Sequence, residues 1–105
     1  MRLKMDSKIL LGRILQQFID LQIAQVEGYN SFGFIKLNKT SVIVSRENGK
    51  DTIVPFAKII GGIKAYQETP ELYGGGPTVL RTFGITYVTS PVFALLHLLT
   101  IDDYR

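Results

Sequence analysis

The sequence contains no cysteine and no tryptophan, and it has a single histidine, His97. Without cysteine the chain can form no disulfide, no thiolate metal site and no cysteine nucleophile. One histidine excludes a two-histidine metal site within one chain, and the nine Asp and Glu residues nowhere cluster at the spacing of metal ligands. We therefore expect no bound metal and no cofactor.

Motifs for catalysis are also missing. A helix followed by three strands and a helix is an order found in metal-dependent nucleases, whose third strand needs an acid and a lysine two residues later. Here the residue two positions after Asp51 is Ile53 and not a lysine. The nucleophile motif Gly-x-Ser-x-Gly is absent, and His97 lies in an apolar segment, which favours a packed residue with one ring nitrogen bonded to backbone over a catalytic one. We expect no catalytic residues and no enzymatic activity.

The length and charge of the chain limit the classes of protein to which it can belong. At 105 residues it predicts a single domain spanning 1–105. Twelve basic and nine acidic residues give a net charge of +3 and a pI of about 9.3, a mild basic bias. No run approaches the ~20 largely apolar residues of a membrane span, so we expect a cytoplasmic protein that does not enter a membrane.

The stretch Lys8–Glu27 predicts a long N-terminal helix. It lacks proline and carries apolar residues at helical spacing around most of its circumference. Asp6 or Ser7 can cap its start, because either side chain can accept from a free amide of the first turn. Gly28 can end it in the left-handed conformation.

Part of this helix has coiled-coil spacing. The residues at that spacing are Leu11, Ile14, Phe18 and Leu21. They predict a seam through which a second copy of the chain packs to form a homo-oligomer. The alternative is a central core helix in a monomer, and the sequence favours the two about equally.

Three runs of strand character follow. They are Phe32–Leu37, Thr40–Ser45 and Asp51–Val54, and the Asn48-Gly49 pair between the last two is a strong hairpin signal. We predict a three-stranded antiparallel meander. One face of it is expected to pack on the first helix through five apolar residues, namely Phe32, Phe34, Val42, Val44 and Ile53.

The remainder predicts two to three C-terminal helices. A second helix begins at Pro55 and contains a costly Gly61-Gly62 pair. Pro77 or Thr78 begins a short helical turn that ends before Gly84. The last helix, Val92–Thr100, has almost no polar face and is expected to be buried. The fold class is therefore α+β.

The hairpin is the first candidate binding site. Arg46 and Lys50 flank its tip, Asn48 lies at the tip, and Lys36 and Lys39 lie on the adjacent strand and turn. A basic β-ribbon can enter a groove of nucleic acid and contact phosphates. Glu47 and Asp51 dilute this charge.

The glycine-rich loop is the second candidate. It precedes a helical turn, and free amides at such a start can bind an anion. The candidate anion-binding residues are Gly74, Gly75, Gly76, Thr78 and Arg81. The loop matches neither a Walker motif nor a dinucleotide fingerprint, and its residues favour a flexible surface turn over an anion site.

These features support three hypotheses of different classes. The first is a small non-catalytic, homo-oligomeric protein that binds nucleic acid through the basic hairpin. The second is an assembly module that contacts another protein through its apolar helices. The third is a binder of a small phosphate-bearing ligand at residues 74–78.

Overall fold

Four antiparallel strands form one sheet in chain order, β1-β2-β3-β4, in the computed structural model of this chain, which describes residues 4–105. The fold class is α+β, as predicted. The helices and strands are α1 Ser7–Leu21, β1 Ile23–Ala24, β2 Phe32–Leu37, β3 Ser41–Arg46, β4 Asp51–Pro55, α2 Phe56–Glu68, two 3-10 segments at Pro70–Gly74 and Pro77–Phe83, α3 Thr89–Leu96 and α4 Ile101–Tyr104. Within residues 4–105 no helix is both long enough and apolar enough to cross a bilayer.

Helix α1 starts as predicted but ends earlier. The Asp6 carboxylate accepts from the Lys8 N–H at 2.7 Å and caps the first turn. The helix stops at Leu21, because Gln22 takes a left-handed φ of 65° and donates its N–H to the Phe18 carbonyl. The prediction of a helix through Glu27 is therefore wrong. The chain leaves the helix to form β1, a fourth strand that the sequence did not reveal.

The predicted oligomer seam also needs correction. Leu11, Ile14 and Phe18 are buried in the core of their own chain. They are therefore unavailable to a second copy. Leu21 alone among the four is exposed, at 56%. Of the two alternatives for α1, the structure shows the central core helix.

The predicted hairpin is confirmed. Gly49 takes a φ of 84°, and the Arg46 N–H donates to the Lys50 carbonyl across the turn at 3.0 Å. The Asn48 side chain accepts from the Lys50 N–H, which fixes the turn further. Strand β2 has the predicted bounds, whereas β3 begins and ends one residue later than predicted.

The predicted inner face of the sheet is wrong at one residue. Val54 pairs with Val42 and is buried, whereas Ile53 pairs with Ile43 and is 60% exposed. Side chains alternate between faces along a strand, so a one-residue error exchanges the buried and exposed sets. Ile53 therefore lies on the outer face of the sheet.

The C-terminal helices differ from the prediction in their bounds. Helix α3 begins at Thr89 and ends at Leu96, so the predicted range Val92–Thr100 is too late at both ends. Residues Ile101–Tyr104 form the short helix α4. All residues of α3 except Ser90 are buried in the chain's own core, which agrees with the expectation that this apolar helix is buried.

The glycine pair in α2 has a structural reason. A Cβ atom on Gly62 would lie 2.7 Å from the Leu96 Cδ1 atom, whereas one on Gly61 would have only Ile85 within 4 Å, at 3.9 Å. Gly62 therefore permits close packing of α3 on α2. Gly61 has no such role.

Aromatic rings fill the space between α2, α3, α4 and the first 3-10 segment. We call this set the interior aromatic cluster: Tyr66, Tyr73, Phe93, His97 and Tyr104. Its contacting ring centroids lie between 4.0 and 6.1 Å apart. The two ring nitrogens of His97 each lie 2.9 Å from a backbone carbonyl oxygen, of Phe93 and of Tyr73. This histidine is a packed residue held at both ring nitrogens.

Candidate functional site

The residues predicted to form the basic hairpin site do not lie together. Lys39 is in the β2–β3 turn at one end of the sheet, and Asn48 and Lys50 are in the β3–β4 turn at the other. The six residues of β3 between these turns span about 20 Å at ~3.3 Å per residue. Lys36 lies between the two ends, opposite Ile43. One nucleic-acid contact at the hairpin tip would therefore leave Lys39 distant.

The guanidinium of Arg46 is already occupied by contacts within the chain. Its Nε donates to the Thr52 hydroxyl at 2.6 Å, and its Nη2 donates to the Tyr87 carbonyl at 3.4 Å. Its central carbon lies 5.6 Å from the centroid of the Phe32 ring, within range of a cation–π interaction. Arg46 is therefore a positioning residue that joins the hairpin to the segment around Tyr87.

That segment, Gly84–Val88, is held at both ends by cations. Lys58 Nζ donates to the Gly84 carbonyl at 2.9 Å, and Arg46 binds the Tyr87 carbonyl. Between them the buried side chain of Ile85 anchors the segment in the core. The loop is thus fixed against α2 and the hairpin although it contains no helix or strand. We call residues 46–51 and 81–88 together the hairpin–loop surface.

Tyr87 has the least ordinary environment on this surface. The Val88 N–H donates to the Thr86 carbonyl at 2.6 Å, and Tyr87 between them has a φ of 63°. This is the pattern of a γ-turn with positive φ, which is rare and strained. The Tyr87 side chain is 97% exposed, so its ring packs against nothing that would offset the strain.

The hairpin–loop surface carries other exposed side chains besides Tyr87. Phe83, half exposed, precedes the loop, and Arg81 is exposed on the second 3-10 segment. Lys50 lies directly across the hairpin from Arg46. Of the two acids on the hairpin, Glu47 accepts from the Ser31 N–H at 2.6 Å and Asp51 is exposed on β4. Aromatic rings and cations therefore share this surface with two carboxylates.

The glycine-rich loop lies between the two 3-10 segments. Gly75 donates its N–H to the Leu72 carbonyl, and Gly76 takes a φ of 78° beside the hydroxyl of Tyr29. Pro77 and Thr78 begin the predicted turn, which the structure shows as a seven-residue 3-10 segment ending at Phe83. Arg81 projects from it into solvent. No structural observation tests anion binding at this loop, which stays a prediction.

The sequence did not indicate the Gly84–Val88 loop as part of a site. The residues of Ile85–Val88 predict extended backbone, which is typical of a plain connection between two helices. Positive φ at a tyrosine has no sequence signal, because the conformation is imposed by the contacts at both ends of the loop. The contacts of Arg46 and Lys58 with this loop join residues 41 and 26 positions apart, which no local pattern reveals.

Among residues 4–105 no three His, Asp or Glu side chains come together in a way that could hold a metal ion. The hairpin–loop surface is thus defined by its rings, its cations and its fixed backbone.

Comparison of the chain with models of protein families, with curated proteins and with solved structures finds no match.

Proposed function

We propose that this protein is a non-catalytic binder of single-stranded nucleic acid and that the hairpin–loop surface is its binding site. A base stacks on the ring of Tyr87, and the phosphates of the same strand lie near Lys50 and Arg81. The observation that carries the proposal is the fully exposed tyrosine ring on a strained, fixed turn.

The argument from Tyr87 is one of stability. A left-handed conformation costs a residue with a side chain roughly 1–2 kcal/mol, and glycine or asparagine would relieve most of it. A buried ring could offset this cost through its packing, but the ring of Tyr87 is in solvent. The fold therefore gives no reason for a tyrosine here, whereas a ligand with flat apolar faces does.

Charge complementarity supports a nucleic-acid strand as that ligand. Lys50 and Arg81 are exposed on the two segments of this surface, and Arg46 and Lys58 add positive charge where they bind the Tyr87 and Gly84 carbonyls. Proteins that bind single strands combine cations along the backbone with aromatic rings on which bases stack. A duplex would keep its base faces covered and could use only the cations.

The first test replaces the ring. Tyr87→Ala should weaken binding of short labelled single strands in fluorescence anisotropy, because base–aromatic stacking contributes about 1–3 kcal/mol per base. Tyr87→Phe is the matched control, since it keeps the ring and should keep the affinity. DNA and RNA strands and a duplex of the same sequence are compared. A wild-type protein that binds no strand even at low salt would exclude the proposal.

The second test separates the hairpin–loop surface from the rest of the sheet. Lys50→Ala with Arg81→Ala should weaken binding and reduce its dependence on salt, because fewer counterions are released from the strand. Lys36→Ala with Lys39→Ala removes the same charge elsewhere and should leave both quantities unchanged. Equal losses in the two double variants would mean that net charge, and not this surface, determines binding.

A second candidate function is self-assembly through the outer face of the sheet. Helix α3 and the α1 residues Leu11, Ile14 and Phe18 are buried, so we place this contact on the sheet and not on the apolar helices. The outer face of the sheet exposes Ile53 beside the half-buried Ile43, and Ile35 is exposed at the register irregularity of β2. Under this candidate the mass measured by light scattering rises with protein concentration, and Ile53→Lys abolishes that rise. A monomeric mass at all concentrations excludes it.

A further inference from the structure

A cavity lies beside the hairpin–loop surface and has no part in the function proposed above. Its volume is about 160 Å³. It is bounded by the loop before β2, by the start of the second 3-10 segment and by one side of α3. The lining residues are Gly28, Tyr29, Asn30, Phe32, Pro77, Ser90, Phe93 and Ala94.

The cavity has an apolar floor and a polar rim. Phe32, Phe93 and Ala94 are buried, whereas Asn30 and Ser90 are exposed. The ring of Tyr29 stands edge-on to that of Phe93, with centroids 5.1 Å apart. The floor is thus apolar, and the rim offers an amide and a hydroxyl for hydrogen bonds.

The lining carries no charged side chain. A phosphate or another ion would therefore lose its hydration inside without gaining a counter-charge, which is strongly unfavourable. A flat, uncharged group with hydrogen-bonding edges suits these walls. Nucleobases are such groups, and proteins that read single strands stack them on aromatic rings and bond to their edges.

The cavity is continuous with the hairpin–loop surface. Phe32 lines the cavity, and the guanidinium of Arg46 lies over its ring while it also binds the Tyr87 carbonyl. Ser90, on the rim, follows Tyr87 by three residues in the chain. A strand with one base on Tyr87 therefore passes close to the mouth of the cavity.

We propose that this cavity holds one nucleobase of the bound single strand and gives the protein a preference among bases. This inference rests on the proposed function. The apolar floor of the cavity receives the flat, uncharged base, and the side chains of Asn30 and Ser90 bond to its edge. Tyr87 stacks on any base, so the preference arises in the cavity alone.

The experiment measures affinity for the four single-base homopolymers by anisotropy at constant salt. Wild-type protein should prefer one homopolymer over the weakest by about tenfold, since one or two hydrogen bonds to the base edge account for that ratio. Ser90→Leu places an apolar side chain at the mouth, and Asn30→Ala removes the amide. Each should abolish the preference, and both residues are exposed, so folding is retained.

Two further variants distinguish a failure of the cavity assignment from a failure of the proposed function. Thr40→Leu makes an apolar change at an exposed site at the other end of the sheet and should keep the preference. Tyr87→Ala should weaken binding to all homopolymers by a similar factor. Binding without a preference, or a preference that survives Ser90→Leu and Asn30→Ala, overturns the cavity assignment and leaves the proposed function standing. No binding to any strand overturns both.

Discussion

The interior aromatic cluster and Tyr87 use aromatic rings in opposite ways. In the cluster, Tyr66 and Tyr104 are fully buried and each ring touches several others. Burial first, and neighbouring tyrosines second, raise the pKa of both phenols, because a phenolate is poorly solvated there. Tyr87 is in solvent, on a strained turn, and touches no other ring of this set.

The contrast separates residues that the fold requires from a residue that it only tolerates. Rings in the cluster join α2, α3, α4 and a 3-10 segment into one core, so their identity is explained by packing. The identity of Tyr87 has no such explanation. Exposure together with backbone strain therefore indicates function more strongly than either observation alone.

The largest expected difference is in stability. Tyr104→Ala should reduce the free energy of unfolding by roughly 3–5 kcal/mol, as truncation of a buried ring leaves a cavity and exposes the Leu96 carbonyl that its hydroxyl binds. Tyr87→Ala should change that free energy by less than about 0.5 kcal/mol. Urea denaturation measures both. A large loss of stability in Tyr87→Ala would contradict the contrast.

The next largest expected effect on the free energy of unfolding comes from the close packing of α3 on α2. Gly62→Ala should destabilise the protein by about 1–2 kcal/mol, because the new methyl group overlaps Leu96 in the core and outweighs the gain in helix propensity. Gly61→Ala is the matched control. It has room and should stabilise the protein by about 0.5–1 kcal/mol. Changes of the same sign in both variants would show that α3 does not lie closely on Gly62.

The smallest effect distinguishes two hydroxyl groups within the cluster. The Tyr104 hydroxyl donates to the Leu96 carbonyl, whereas the buried Tyr66 hydroxyl has no partner among residues 4–105. Tyr104→Phe should cost about 1 kcal/mol. Tyr66→Phe should leave the free energy of unfolding unchanged or raise it, since it removes an unpaired polar group. Equal losses in the two variants would indicate that the Tyr66 hydroxyl is hydrogen-bonded in solution.

Local signals predicted much of the fold. The Asn48-Gly49 pair fixed the hairpin because its turn requires positive φ, and Asp6 capped α1 as expected. The end of α1 was missed because Ile23 and Ala24 are as apolar as the helix before them. Only their pairing with Gly33 and Phe32, which lie further along the chain, makes them a strand. The error at Ile53 has a similar cause, since Ile53 and Val54 differ little in character.

The candidate site was predictable only in part. Lys50 and Arg46 were predicted from the hairpin. However, Arg46 was predicted to contact nucleic acid directly, in one site with Lys39, which lies at the other end of the sheet. The Gly84–Val88 loop and the cavity beside Phe32 depend on contacts between residues far apart in the chain. Such contacts have no local pattern, so no reading of Tyr87 or Ser90 within its own segment could indicate a site.

The three contacts of Arg46 have a consequence for the energetics of recognition. One guanidinium fixes Thr52, the Tyr87 carbonyl and the ring of Phe32 relative to one another. The entropy of ordering these parts is therefore lost when the chain folds and not when a ligand arrives. For the proposed nucleic-acid strand, such preorganisation would make the entropic cost of binding at this surface smaller than at a mobile loop of the same composition.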